Sequence, residues 1–168
     1  MKKIYWALIL MFSLIGEKAV AQHTDIMEAL AKEGGKINTK LPIIDSLLPF
    51  KVNKMQLSNL REKFALTKNE ASEIHKIIEK SRGERLNATE MPGTLLISAS
   101  LLYNGDTLNV SFMGKNKPFY ILSIPILFDH GEKAVIDVDL VGGGGYTYLL
   151  IKQQGQWVVE KEIVRWVV

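Results

Sequence analysis

The chain of 168 residues contains no cysteine, and this absence excludes several classes of protein at once. The chain can form no disulfide, no thiolate metal site and no lipoprotein anchor, and it has no cysteine nucleophile. An exported protein without disulfides depends for its stability on its own hydrophobic core. A chain of roughly 150 residues can bury most of its apolar surface in one domain, so we expect one folded unit.

An apolar run long enough to cross a membrane is also absent. The apolar stretch at residues 4–15 falls short of the roughly 20 residues that a spanning helix needs. It follows two lysines and precedes small residues at positions 19–21, which is typical of a secretory signal peptide. We expect residues 1–21 to be removed, and residues 22–168 to act in the periplasm or outside the cell without a stable membrane anchor. The alternative is a retained membrane helix, which Glu17 and Lys18 disfavour.

A concentrated basic surface is missing as well. The formal net charge is +3, and the signal segment, with three lysines and one glutamate, supplies two of these charges. The mature chain would therefore be close to neutral. Nucleic-acid binding requires lysine and arginine clustered on one face, and no such cluster is visible. We expect a protein or small-molecule partner and no nucleic acid.

The common motifs of hydrolases, of metal sites and of nucleotide-binding sites are absent. No serine lies in a Gly-x-Ser-x-Gly motif or has a lysine three positions later. The histidines, His23, His75 and His130, have no metal-ligand spacing. The glycines at 142–145 precede a strand pattern and not the helix that a phosphate-binding loop requires, so they predict a loop or bulge. We expect no metal and no cofactor.

The first half of the mature chain has helical periodicity, with irregular stretches up to residue 92. Thr24 is a candidate N-cap. Asn53 with Gln56, and Thr67 with Glu70, match the capping box that starts a helix. The expected helices cover residues 24–32, 54–64 and 68–82.

From residue 94 onward the pattern alternates as in strands. Asn104-Gly105-Asp106 predicts a hairpin turn, and Pro125 predicts an edge position, a bulge or a break. The expected strands cover residues 94–102, 107–113, 119–128, 133–141, 146–152, 156–161 and 163–168. Short connections predict an α+β fold, in which an antiparallel β-meander carries the N-terminal helices on one face. This general plan is similar to the NTF2-like and cystatin-like folds.

Paired carboxylates are the strongest candidates for catalysis. Asp137 and Asp139 alternate with apolar residues, so both lie on one face of a strand, roughly 7 Å apart. Such pairs supply the acid and the base of glycosidases. His130 and Glu160 are further candidates. A solvated strand face produces the same pattern and is the simpler interpretation.

Glycines and aromatic residues of the last strands are the candidates for ligand binding. Glycine permits close backbone contact, and tyrosine and tryptophan combine an apolar ring with a polar tip. The alternative is that the rings belong to the core and rim of the sheet. The candidate residues are Gly143, Gly144, Tyr146, Tyr148, Trp157 and Trp166.

Roughly the last 45 residues resemble the C-terminal sheet of small exported proteins of Gram-negative bacteria. The similarity lies in Ser-Ile-Pro-Ile-Leu-Phe at 123–128, the four glycines, Gly-Gln-Trp at 155–157 and the tryptophan near the end. The resemblance implies a C-terminal β-meander and no particular activity. The relatives often carry cysteines near the glycine-rich connection, and this chain has none, so no disulfide or redox role carries over.

Three hypotheses of function follow. The first is an exported, non-catalytic domain that binds a ligand or a protein. The second is a hydrolase of the cell envelope that uses Asp137 and Asp139, for which one carboxylate must be buried in a concave pocket with a raised pKa. The third is a structural or inhibitory partner whose interface is the apolar segment 41–50, which requires Leu47, Leu48 and Phe50 to be exposed together.

Overall fold

The computed structural model describes residues 23–32, 36–50, 52–81, 86–87, 96–98, 103–104, 107–108 and 118–167. The expected signal peptide lies outside these residues. So does most of the two strands expected over residues 94–102 and 107–113.

Helices in the described chain cover residues 23–31 (α1), Lys54–Lys63 (α2) and Lys68–Lys80 (α3). Both predicted capping boxes are confirmed. The Asn53 side chain accepts the Gln56 N–H at 2.9 Å, and the Thr67 hydroxyl accepts the Glu70 N–H at 3.2 Å. The Gln56 and Glu70 side chains accept in return from the N-cap amides at 2.8 and 2.7 Å. Because these bonds satisfy amides that no helical turn can reach, local sequence sets where α2 and α3 begin.

The described strands form one main sheet and two small ones. In the main sheet the order is β11-β10-β9-β7-β1-β4, and β8 also pairs with β9. Strands β7, β9, β10 and β11 form an antiparallel meander, whereas β1 pairs in parallel with β7 and with β4. The predicted α+β class is confirmed. The strands are β1 (Ile43–Ile44), β2 (Ser46–Leu47), β3 (Leu86–Asn87), β4 (Leu96–Ile97), β5 (Tyr103–Asn104), β6 (Thr107–Leu108), β7 (Phe119–Leu122), β8 (Ile126–Phe128), β9 (Lys133–Val141), β10 (Gly144–Gln153) and β11 (Gln156–Val167).

The helices divide between both faces of the main sheet, although the pattern favoured one face. One core cluster joins Ile136 of β9 to Leu30 of α1, and the other joins Val135 to Ile74 of α3. The reason lies in β9, where Ala134, Val135 and Ile136 are all fully buried. A strand with consecutive apolar residues needs cover on both sides. We call the α2/α3 side the front face.

The proline-flanked segment contributes to the core and not to the surface. Ile43 and Ile44 of β1 are 1 % exposed, and Leu47 and Phe50 are also buried. The segment therefore does not present the exposed apolar surface that the third hypothesis requires.

Pro125 interrupts the strand expected over residues 119–128. Strands β7 and β8 pair with different ends of β9, and the chain between them departs from the ladder. Ser123 spans the gap, since its N–H donates to the Asp137 carbonyl and its hydroxyl accepts the Asp137 N–H, both at 2.9 Å. A break at proline, one of the expected outcomes, is confirmed.

Two details of the predicted hairpins need correction. Residues 96–97 pair in parallel with β1, so the hairpin around position 105 is formed by the short strands β5 and β6. The last strand is continuous from Gln156 to Val167 and not divided at residue 162. Register shifts between β10 and β11 interrupt the regular alternation of this strand without dividing it.

Candidate functional site

Asp137 and Asp139 lie on the front face of β9, toward the end that α2 covers. Asp137 is in register with Thr147 of β10, and Asp139 with Gly145. Because paired residues of neighbouring strands point to the same face, the two carboxylates and the Thr147 hydroxyl share one surface. The structure thus places the two predicted carboxylates side by side.

A β-bulge in β11 brings the cation of the site into position. Tyr146 pairs with Val164 and Gly145 with Trp166, so Arg165 is an extra residue without a partner on β10. Such an insertion lets consecutive side chains reach the same face, which regular alternation forbids. The Arg165 and Trp166 side chains both reach Asp139 as a result.

Arg165 lies between the two carboxylates. Its Nη2 donates to Asp139 Oδ1 at 2.6 Å, and its Nε lies 3.4 Å from Asp137 Oδ1. The Trp166 indole N–H donates to the same oxygen of Asp139 at 3.2 Å. We call these residues, together with Asp137 and Thr147, the Asp137 cluster.

Gly145 makes room for the indole of Trp166. A Cβ added to Gly145 would overlap the Nε1 and Cδ1 edge of the Trp166 ring. Any other residue at position 145 would push the ring away from Asp139. Glycine is therefore needed here for close approach and not for an unusual backbone angle.

Asp137 is the most unusual titratable group of the cluster. Its side chain is only 14 % exposed. Burial raises the pKa of its carboxyl to about 6, against the opposing effects of the Arg165 charge and of the Thr147 hydroxyl, which donates to Asp137 Oδ1 at 2.6 Å. The neighbouring charge of Asp139 makes a smaller contribution to the raised pKa. At neutral pH the protein thus holds a poorly hydrated carboxylate.

The Asp137 cluster borders a cavity of about 330 Å³ between α2 and the last strands. Its strand side is formed by Asp137, Thr147 and β11, and its opposite wall by residues of α2 and the residue Val52 before it. This volume is at the lower end of the range of small-molecule sites. The lining residues are Val52, Gln56, Asn59, Leu60, Lys63, Asp137, Thr147, Ile163, Val164, Arg165 and Trp166.

Other predicted catalytic candidates lie elsewhere. His130 is on the exposed turn Asp129–Gly131 that precedes β9. Asp137 is four residues beyond the start of that strand, roughly 13 Å away by strand rise. Glu160 is exposed at the other register shift of β11 and does not line the cavity. The structure does not bring either residue to the two aspartates.

The predicted ligand-binding residues separate into three groups. Tyr148 and Trp157 are each 3 % exposed in the α1-side core, where Tyr146 packs beside them. Gly142 and Gly143 form the turn between β9 and β10, and Gly144 begins β10. Trp166 is 41 % exposed and lines the cavity, so it is the one candidate aromatic at the site.

Sequence reasoning missed Arg165, Thr147 and the α2 wall of the cavity. A tight turn at Gly142 and Gly143 sets the register of β9 and β10 and pairs Thr147 with Asp137, so the sequence did contain a signal for Thr147. Arg165 had no usable signal, because only the bulge brings it to the front face. The α2 residues are distant in sequence from the strands they approach.

The wider surroundings add three findings. Within the described ranges, no group of three or more His, Asp or Glu residues is arranged to hold a metal ion. No helix in that part of the chain has the length and hydrophobicity to span a membrane. Comparisons with protein-family models, curated proteins and solved structures find no match to this chain.

Proposed function

We propose that this protein is an exported, non-catalytic domain that binds a small polar ligand in the cavity beside the Asp137 cluster. It acts in the periplasm or outside the cell, without a membrane anchor once the signal peptide is removed. The observation that carries the proposal is Asp137, a largely buried carboxylate at the wall of a cavity of ligand size.

The cost of ionising Asp137 supports this proposal. Its pKa rises from 3.8 to about 6, and each pKa unit corresponds to about 1.4 kcal/mol, so the ionised form costs the fold about 3 kcal/mol at neutral pH. An asparagine would fill the same space without this cost. Strongly perturbed groups in a cavity are typical of binding and catalytic sites, where function offsets the lost stability.

The test compares the NMR signals of two indole N–H groups that lie on opposite faces of the main sheet, those of Trp166 and Trp157. A ¹⁵N NMR screen would cover sugars, amino acids, nucleosides and dicarboxylates. A bound ligand should shift the Trp166 indole N–H and the Arg165 Nε–H. The Trp157 indole N–H, buried on the α1 side, is the internal control and should not move.

A variant completes this test. Asp137→Asn should weaken binding about tenfold, because it removes a charged acceptor from the cavity wall. The proposal fails if no compound moves the Trp166 signal, or if Asp137→Asn binds every hit as well as the original protein does.

Hydrolysis at the same cavity is the second candidate function. The observation that favours it is the pair of carboxylates on one face, of which Asp137 keeps its proton up to about pH 6. A glycosidase needs one protonated and one ionised carboxyl group. Asp139 lies beside the cavity on the same face of β9, where it accepts hydrogen bonds from Arg165 and Trp166, and would be the second carboxyl group.

Chromogenic glycosides test the second function. Turnover should decline above about pH 6 as Asp137 ionises, and Asp137→Asn should lower kcat about a hundredfold. Turnover that is unchanged in Asp137→Asn would exclude the hydrolase, and so would binding of the glycosides without any turnover.

A further inference from the structure

The charges at the cavity are balanced inside the protein. Asp137 and Arg165 line the cavity and pair with each other, Asp139 beside the cavity also pairs with Arg165, and Lys63 of α2 is the second cation of the lining. With Asp137 ionised, the two negative and two positive charges cancel. An anionic ligand would have to compete with Asp139 for Arg165, and a cationic ligand would have to compete with Arg165 for the aspartates. The arrangement therefore favours a ligand without net charge.

Trp166 provides a fixed apolar surface next to these polar groups. Hydrogen bonding to Asp139 and contact with Gly145 hold one edge of the indole, while 41 % of the residue remains exposed. An aromatic face in this setting packs well against C–H groups and poorly against a fully hydrated polar surface. A ligand that suits the site has one apolar face and polar groups around its rim.

The α2 wall offers hydrogen-bonding groups at helical spacing. Gln56, Asn59 and Lys63 follow one another at intervals of three and four residues, so they lie on the same side of α2 and all line the cavity. Gln56 Oε1 is engaged in the capping box, which leaves its amide N–H₂ to donate. Asn59 offers an amide donor and an acceptor. Asp137 adds an acceptor on the opposite side.

We propose that the ligand of this cavity is a neutral sugar, whose C–H face stacks on Trp166 and whose hydroxyl groups bond to Asp137 and to the Asn59 amide. This inference rests on the proposed function and narrows it to one class of ligand. Sugars combine an apolar ring face with hydroxyl groups that both donate and accept. Nucleotides and free amino acids carry charged groups, which would have to compete with the ion pairs that Arg165 forms with Asp137 and Asp139.

The experiment compares neutral sugars with charged analogues of the same ring. Glucose, galactose and N-acetylglucosamine are titrated at pH 7 beside glucuronate and glucosamine, and binding is followed by saturation-transfer NMR and by the Trp166 indole signal. Neutral sugars should bind more tightly than both charged analogues. Equal or tighter binding of glucuronate or glucosamine would overturn the assignment.

Variants of Trp166 separate stacking from nonspecific contact. Trp166→Ala should weaken sugar binding about tenfold, and Trp166→Phe should restore most of the affinity because it keeps an aromatic face. Val167→Ala is the matched control, since Val167 is an exposed apolar neighbour, 70 % exposed, that does not line the cavity. Sugar binding that survives Trp166→Ala unchanged would also overturn the assignment.

The two proposals fail in different ways. If no sugar binds but an amino acid or a nucleoside shifts the Trp166 signal and depends on Asp137, the sugar assignment is wrong and the binding function stands. If no compound of any class shifts this signal, both are wrong.

Discussion

Among the carboxyl groups at the front face of strand β9, those of Glu70 and Asp137 have pKa values that are shifted in opposite directions. Glu70 of α3 lies 2.6 Å from Lys133 Nζ at the start of β9, and Asp129 lies 3.2 Å from the same nitrogen. The hydrogen bond from Lys133, with the capping bonds of Thr67, lowers the pKa of Glu70 to about 2. Four residues further along β9, burial raises the pKa of Asp137 to about 6.

The difference separates a structural ion pair from a candidate site. Ionised Glu70 stabilises the fold, because it caps α3 and joins that helix to the sheet. Ionised Asp137 destabilises the fold, although Arg165 is nearby, because the gain from the charge pair is smaller than the cost of burial. The charge of Glu70, on α3, thus helps to hold that helix on the sheet, whereas the architecture alone does not explain the charge of Asp137 on β9.

Among these variants, removing the charge of Asp137 should have the largest effect on the free energy of unfolding. Asp137→Asn is expected to stabilise the protein by up to about 3 kcal/mol at pH 8, since the amide still accepts from Thr147 without the cost of a buried charge. The pKa of Asp137 is higher in the native protein than in the unfolded chain. The free energy of unfolding of the original protein should therefore decrease as the pH rises from about 4 to 6. Chemical denaturation across pH 3–8 measures this. Asp137→Asn that is less stable at pH 8 would contradict the account.

Removing the charge of Glu70 should act in the opposite direction. Glu70→Gln keeps a capping acceptor but loses the ion pair, and it should cost about 2 kcal/mol at pH 7, allowing for partial exposure of Lys133. The native pKa lies below the unfolded value, so this contribution is present above about pH 4.5 and is lost as the pH falls toward 2. Unfolding curves of the variant and the original protein should converge near pH 2, and a constant difference would be inconsistent with the ion pair.

A third prediction concerns Thr147, because its hydroxyl donates a hydrogen bond to the unfavourable charge of Asp137. Thr147→Val is nearly isosteric and should destabilise the protein by about 1.5 kcal/mol at pH 8, where Asp137 is ionised, and by less at pH 4. In the Asp137→Asn background the effect should shrink, which a double-mutant cycle measures. A loss that is equal in both backgrounds would mean that Thr147 contributes through packing alone.

The smallest effect is expected at an exposed ion pair that belongs neither to the Asp137 cluster nor to the Glu70–Lys133 pair. Lys36 lies 2.8 Å from Glu162, with both side chains about 40 % exposed. Lys36→Ala should change the free energy of unfolding by less than about 0.5 kcal/mol, since solvent and salt screen such pairs. A loss comparable with that of Glu70→Gln would show that distance, and not burial, decides the strength of these pairs.

The sequence predicted what depends on short-range periodicity. The capping boxes at Asn53 and Thr67, the bounds of β9 and the shared face of Asp137 and Asp139 all follow from spacings of two to four residues. The break at Pro125 follows from the missing amide hydrogen of proline.

What could not be predicted depends on pairing between distant segments. The parallel position of β1 inside the sheet and the division of helices between two faces come from contacts across most of the chain. The exposure of Trp166, in contrast with buried Trp157, depends on the bulge at Arg165 and on the absence of a side chain at Gly145. No local pattern marks either feature.

Our central proposal is that Glu70 and Asp137 have opposite electrostatic roles at the front face of β9, and that Asp137 marks the ligand site. A ¹³C NMR titration of the carboxyl carbons measures both groups in one sample. We expect a midpoint near pH 6 for Asp137 and near pH 2 for Glu70. A midpoint for Asp137 at or below its ordinary value near 4 would contradict it, because the carboxylate would then be one more stabilising ion pair.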